Sequence, residues 1–163
     1  MSALLAQRSC ALHRVRGDAL PVRAFLDRED GTFPPGTTAY EKRGIAVNVP
    51  EWQPDNWIQC NQCSYICPHA IIGAFLLHEK DMKGKPKDMV TVKGKGKGLS
   101  DYHYRLQISP LDCTGCGNCA DICPSKEKAL IMKPLGSQMH EQENWDYLTK
   151  NVKYKDTVVD KFK

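Results

Sequence analysis

No stretch of these 163 residues approaches the roughly 18 consecutive apolar residues that a membrane-spanning helix requires, so a helical membrane anchor is not expected. Aromatic residues are few, at 8%, and the lysine-rich middle of the chain lacks the aromatic interleaving used to stack single-stranded bases. Nucleic acid is therefore not an expected partner. The repeated KGKG also lacks the G-x-x-x-x-G-K-[ST] frame of a phosphate loop. Seven of the eight cysteines sit in two C-x-x-C blocks and the opening residues do not read as a secretory signal, so metal binding in a reducing compartment is expected rather than a disulfide scaffold. No general acid, base or nucleophile is assigned from the sequence.

What the chain does have is cysteine in strict order. Cys113-Thr-Gly-Cys116-Gly-Asn-Cys119-Ala-Asp-Ile-Cys123-Pro124 reads C-x2-C-x2-C-x3-C-P, the bacterial-type ferredoxin spacing for a cubane iron–sulfur cluster. Three of its thiolates reach corners of one cluster, and the fourth belongs to a different one. A second block is thereby predicted. It stands upstream as Cys60-Asn-Gln-Cys63-Ser-Tyr-Ile-Cys67-Pro68, and Cys60, Cys63 and Cys67 align with Cys116, Cys119 and Cys123 at a constant offset of 56 residues. By the same offset Cys113 falls on Trp57. Zinc would use paired C-x2-C sites with tetrahedral geometry, to which the C-x2-C-x2-C-x3-C-P run is a poorer fit.

Each repeat reads as a strand, a cysteine loop and a helix. Gly44 to Pro50 carries β-branched residues bounded by Gly and Pro, which predicts a strand. Pro68 is expected to open a short apolar helix over His69 to Leu77 and His78, because proline suits the first helical position. Tyr104 to Ser109 alternates as a strand, Ser125 to Lys128 reads as a helical turn, and Ala129 to Met132 as a second strand. The expected architecture is α+β: a bacterial-type two-[4Fe-4S] ferredoxin fold with a pseudo-twofold repeat, a long inserted loop and N- and C-terminal extensions. Its boundaries are a presequence-like or truncated start (1–17), an arm (18–50), and the two-cluster domain (51–136), followed by a linker-like tail (137–163). The inserted loop spans 80–100. It carries Lys83, Lys85, Lys87, Lys93, Lys95 and Lys97, which form either a solvated loop or a steering surface for an acidic redox carrier. The first seventeen residues contain three Arg and no acid, the composition of an organellar presequence. Localisation is therefore expected to be cytoplasmic in an anaerobe, or in an anaerobic organelle.

The words between the cysteines carry a resemblance. Thr32-Phe-Pro-Pro-Gly-Thr-Thr38, Glu41-Lys-Arg-Gly-Ile-Ala-Val-Asn-Val-Pro-Glu-Trp52, Gln59-Cys-Asn-Gln-Cys63, Cys67-Pro-His69, and Ser109-Pro-Leu-Asp-Cys113 through Leu130 resemble the two-cluster ferredoxin domain of pyruvate:ferredoxin (flavodoxin) oxidoreductase. The resemblance implies a relay that passes electrons from 2-oxoacid oxidation to ferredoxin or flavodoxin. The thiamine diphosphate and coenzyme A sites would lie in partner domains, and the chain reads as a fragment or a detached module. The alternative is a stand-alone ferredoxin-like or structural iron–sulfur subunit.

Residue by residue, the resemblance implies a complete [4Fe-4S] cluster on Cys113, Cys116 and Cys119 with Cys67 crossing over. A second cluster would use Cys60, Cys63 and Cys123. Its missing ligand position holds Trp57, whose indole offers an N–H and no lone pair for iron. Three readings follow: a [3Fe-4S] or labile [4Fe-4S] centre with or without a substitute ligand, an absent cluster, or a sequence error, since Cys and Trp codons differ by one base. Asp55 and Cys10 are the candidate substitutes, with a turn residue and an inert thiol as their ordinary roles. His69 is read as a helix-start residue that could tune a cluster, and Trp52 and Trp57 as covers against water.

Overall fold

The computed structural model describes residues 16–26, 29–32 and 42–158. Cys10, most of the presequence-like start and residues 33–41 lie outside them. The chain divides into two compact units, Met1–Arg43 and Gly44–Lys163. Described residues of the first form two 3-10 turns, Gly17–Ala19 and Val22–Phe25, and an exposed turn in which Asp30 accepts hydrogen bonds from the N–H and hydroxyl of Thr32.

The second unit contains two antiparallel sheets. Strand β1 (Asn48–Trp52) pairs with β5 (Leu130–Pro134), from Asn48 opposite Pro134 to Trp52 opposite Leu130. Both strands of this ribbon are edges, so Pro50 fits within β1 although it has no N–H to give the ladder. In the other sheet β4 (His103–Ile108) lies between β2 (Ile72–Leu77) and the short β3 (Val92–Lys93). The helices are α1 (Gln62–Ile66), α2 (Glu79–Met82), α3 (Asn118–Asp121) and α4 (Glu141–Asn151). Among the described residues no helix is long and apolar enough to cross a membrane.

The helix expected after Pro68 is instead β2. Pro68 and His69 make a turn, Ala70 takes a left-handed backbone at φ 51°, and the apolar run pairs with β4 from Ile72 opposite Ile108 to Leu77 opposite His103. A short apolar run cannot be told from a buried helix by periodicity. Here the six-residue ladder with β4 decides the matter. Residues 125–127 form bends rather than a helical turn, and the strand expected from Gly44 begins at Asn48. The inserted segment carries α2 and β3, and the expected linker-like tail carries α4, which packs against β4.

Strand β4 explains that packing through its period of two. Tyr104, Leu106 and Ile108 enter the main core, which they share with Val49, Trp52, Trp57, Ile71, Ile72, Leu130 and the thiols of Cys63, Cys113 and Cys119. Arg105 and Gln107 are also buried, and both find the carboxylate of Glu141 at the start of α4. Asn144 donates to the same oxygen at 2.9 Å. A smaller core of Leu77, Met89 and Leu148 lies beyond, free of cysteine.

Candidate metal centre

Both cysteine loops turn into their short helices through left-handed backbone. Gln59 and Asn61 have φ of 66° and 55° ahead of α1, and Gly115 and Gly117 have φ of 74° and 81° ahead of α3. Exposure agrees across the 56-residue offset. Cys60 and Cys116 are exposed, Cys63 and Cys119 are buried, and Cys67 and Cys123 are half-buried.

The thiols stand around two separate small cavities. One is lined by Cys67, Cys113, Cys116 and Cys119, with Pro50, His69, Ile71, Ile72 and Met132 among its apolar and ring walls. The other is lined by Cys60, Cys63 and Cys123 with Trp57, Leu106 and Leu130. Cys67 thus stands with the second block and Cys123 with the first. Among the described residues, no three Cys, His, Asp or Glu side chains gather closely enough to hold a single metal ion. The thiols are distributed around spaces instead.

Burial raises three of the thiols. It pushes Cys119 up to about 12, helped by the neighbouring Cys113, and Cys63 up to about 11. Cys113 is also raised by burial, against a 3.3 Å hydrogen bond from the Gly115 N–H. Cys123 goes the other way. Its burial alone would raise it, but the N–H groups of Ala129 and Ser125 and the charge of Lys128 together lower it. Thiols crowded in this way become thiolates readily only beside strong positive charge, which bound iron supplies. The donor set fits a thiolate-held cluster in each cavity.

Trp57 is 5% exposed and stacks on Tyr104, with ring centroids 3.9 Å apart and an interplanar angle of 24°. Trp52 meets it edge-on at 6.0 Å and carries the Arg105 guanidinium over its own ring at 4.9 Å. The Tyr104 hydroxyl donates to Asn61 Oδ1 at 2.6 Å. Both indole N–H groups are buried without a hydrogen-bond partner. Asp55 sits exposed on the 3-10 turn Pro54–Asn56 and does not line the cavity, while His69 is exposed at the rim of the other.

Residues 57–127 match the family model of the 4Fe-4S dicluster domain, and residues 11–46 match a domain of unknown function. The chain is 55% identical over 136 residues, 83% of its length, to a pyruvate-flavodoxin oxidoreductase of Enterobacter agglomerans. It is 57% identical over 124 residues, 76% of its length, to a pyruvate:ferredoxin oxidoreductase of Moorella thermoacetica. This chain is homologous to the iron–sulfur domain of pyruvate:ferredoxin (flavodoxin) oxidoreductases. It spans about a tenth of those relatives, 11% and 10% respectively. A mitochondrial pyruvate dehydrogenase [NADP(+)] of Euglena gracilis shares 42% identity over 148 residues, 90% of this chain and 8% of that protein. Within this iron–sulfur domain, sequence reasoning missed the hydrogen bonds that brace the cysteine loops. Tyr104, Asn61 and Ser125 carry no motif, and only their approach in space reveals them.

Proposed function

We propose that this chain is the electron-relay domain of an oxidoreductase acting on 2-oxoacids. Cys67, Cys113, Cys116 and Cys119 hold a [4Fe-4S] cluster, and Cys60, Cys63 and Cys123 hold a second iron–sulfur centre. The observation that carries this reading is the pair of thiol-lined cavities with Cys67 and Cys123 exchanged between blocks. When bound, each cluster takes up and releases one electron at a time. The protein's own part is to hold the thiols apart at fixed positions, to exclude water with Trp52, Trp57, Tyr104 and Ile72, and to donate main-chain hydrogen bonds to sulfur from Gly115 and Ala129. Those groups set the potential of the relay. The thiamine diphosphate and coenzyme A chemistry belongs to partner domains, with ferredoxin or flavodoxin as acceptor.

Anaerobic reconstitution followed by iron and sulfide analysis and electron paramagnetic resonance tests the reading. Cys67→Ser is expected to damage the complete cluster although it lies in the first block, and Cys123→Ser to spare that cluster while emptying the other site. If Cys123→Ser removes the stable cluster, or if zinc alone is retained, the reading fails.

A further inference from the structure

We infer that the Trp57 indole N–H is a hydrogen-bond donor to the iron–sulfur centre of Cys60, Cys63 and Cys123, and that it keeps this centre a three-iron cluster of raised reduction potential. The inference rests on the relay reading above. It begins from an orphan group: Trp57 Nε1 is buried and makes no hydrogen bond, on a side chain that lines the cavity of those three thiols. A buried N–H left unpaired is costly, so native structures provide an acceptor for nearly all of them.

The polar side chains on the same wall turn elsewhere: Asn61 Oδ1 receives the Tyr104 hydroxyl, and the Ser125 hydroxyl donates to the carbonyl of Asn56. Among the described residues no protein acceptor, cysteine sulfur included, stands within hydrogen-bond reach of Trp57 Nε1. The sulfides of the group the thiols hold are the acceptors left to it.

The ring is also fixed in place. It is stacked on Tyr104 at 3.9 Å and braced edge-on by Trp52 at 6.0 Å, so it does not swing aside to admit another ligand. Indole has a donor and no lone pair for iron, so the position that a fourth thiolate would take is closed to a fourth iron. Three thiolates suit three irons. A hydrogen bond to cluster sulfur stabilises the reduced, more negative state and raises the potential, one of the controls by which proteins tune such centres. The two sites then differ in kind: four thiolates on one side, three thiolates and an N–H on the other.

The test uses the full chain, loaded with iron and sulfide without oxygen and grown with tryptophan labelled with nitrogen-15 in the indole ring. The oxidised protein is expected to show the half-integer-spin signal of a three-iron centre, with a hyperfine coupling to that nitrogen. Trp57→Phe keeps the ring and loses the donor; the signal should persist, the coupling disappear and the midpoint potential fall. Trp57→Cys should lose the signal and gain one iron per chain. Absence of coupling in the unaltered chain overturns the inference, as does an unchanged midpoint in Trp57→Phe or no added iron in Trp57→Cys. The cluster of Cys67, Cys113, Cys116 and Cys119 is the internal control. If it assembles while the Trp57 results fail, the inference alone is wrong; if it never assembles in any variant, the relay reading falls with it.

Discussion

Placing a methyl group at Gly115 tests how closely the second cysteine loop rests on strand β1. Gly115 has φ of 74°, and a Cβ there would stand 2.9 Å from the carbonyl oxygen of Asn48 and 3.2 Å from the Cβ of Ala46. Alanine at Gly115 therefore meets two costs: about 1–2 kcal/mol for left-handed backbone, and a further ~1–3 kcal/mol for displacing a loop from main-chain atoms that cannot rotate away. Gly117 separates the two. Its φ is 81°, yet a Cβ there meets nothing within 4 Å, so Gly117→Ala carries the backbone cost alone. The expected gap between the variants is about 2 kcal/mol, or roughly 4–8 °C in thermal midpoint for a chain of this length. Circular dichroism melts of the anaerobically loaded proteins would measure it, and visible absorbance should show Gly115→Ala losing iron first from the site of Cys113 and Cys116. Equal losses in the two variants would refute the close approach as the cause.

Two more outcomes are expected. Glu141→Ala should cost about 3–5 kcal/mol in denaturant melts by leaving Arg105 buried without its partner. Burial alone would raise the Glu141 carboxyl, but Arg105 and the hydrogen bonds from Asn144 and Gln107 hold it below the usual range. Its stabilisation is therefore full above the unfolded value of about 4.3 and fades as pH falls toward the lowered one; Glu141→Gln should remove that part of the acid limb. Stripping iron with a chelator should speed amide exchange in residues 57–67 and 113–130 ahead of 141–151, because the thiols belong to the main core while Leu148 belongs to the cysteine-free one. Mass spectrometry resolved by peptide reads this directly, and uniform exchange across both regions would contradict it.

The two cysteine blocks were legible in sequence through their spacing, which expects the fourth thiol of each to stand with the other block. In the fold Cys67 lines a cavity with Cys113, Cys116 and Cys119, and Cys123 lines one with Cys60 and Cys63. Strands β4 and β5 were legible through alternation and β-branched residues. Strand β2 was not, since six apolar residues after a proline satisfy a helix start as well as a buried strand, and only the distant partner 103–108 decides. Helix α4 was hidden for the opposite reason. Its sequence, EQENWDYLTKN, is largely polar, and beside the packing of Leu148 and Trp145 its hold on the sheet is the carboxylate of Glu141 beneath Arg105 and Gln107, a contact with no local pattern.

The crossing of Cys67 and Cys123 also makes the domain indivisible. A cut in the exposed stretch around Lys97 would leave one piece holding Cys60, Cys63 and Cys67 and another holding Cys113 to Cys123. Neither piece contains the whole lining of either cavity. Each would have to find the other before iron could be seated, with the β2–β4 ladder as the seam along which they rejoin. Duplication of such a unit yields a new domain only when both halves are copied together.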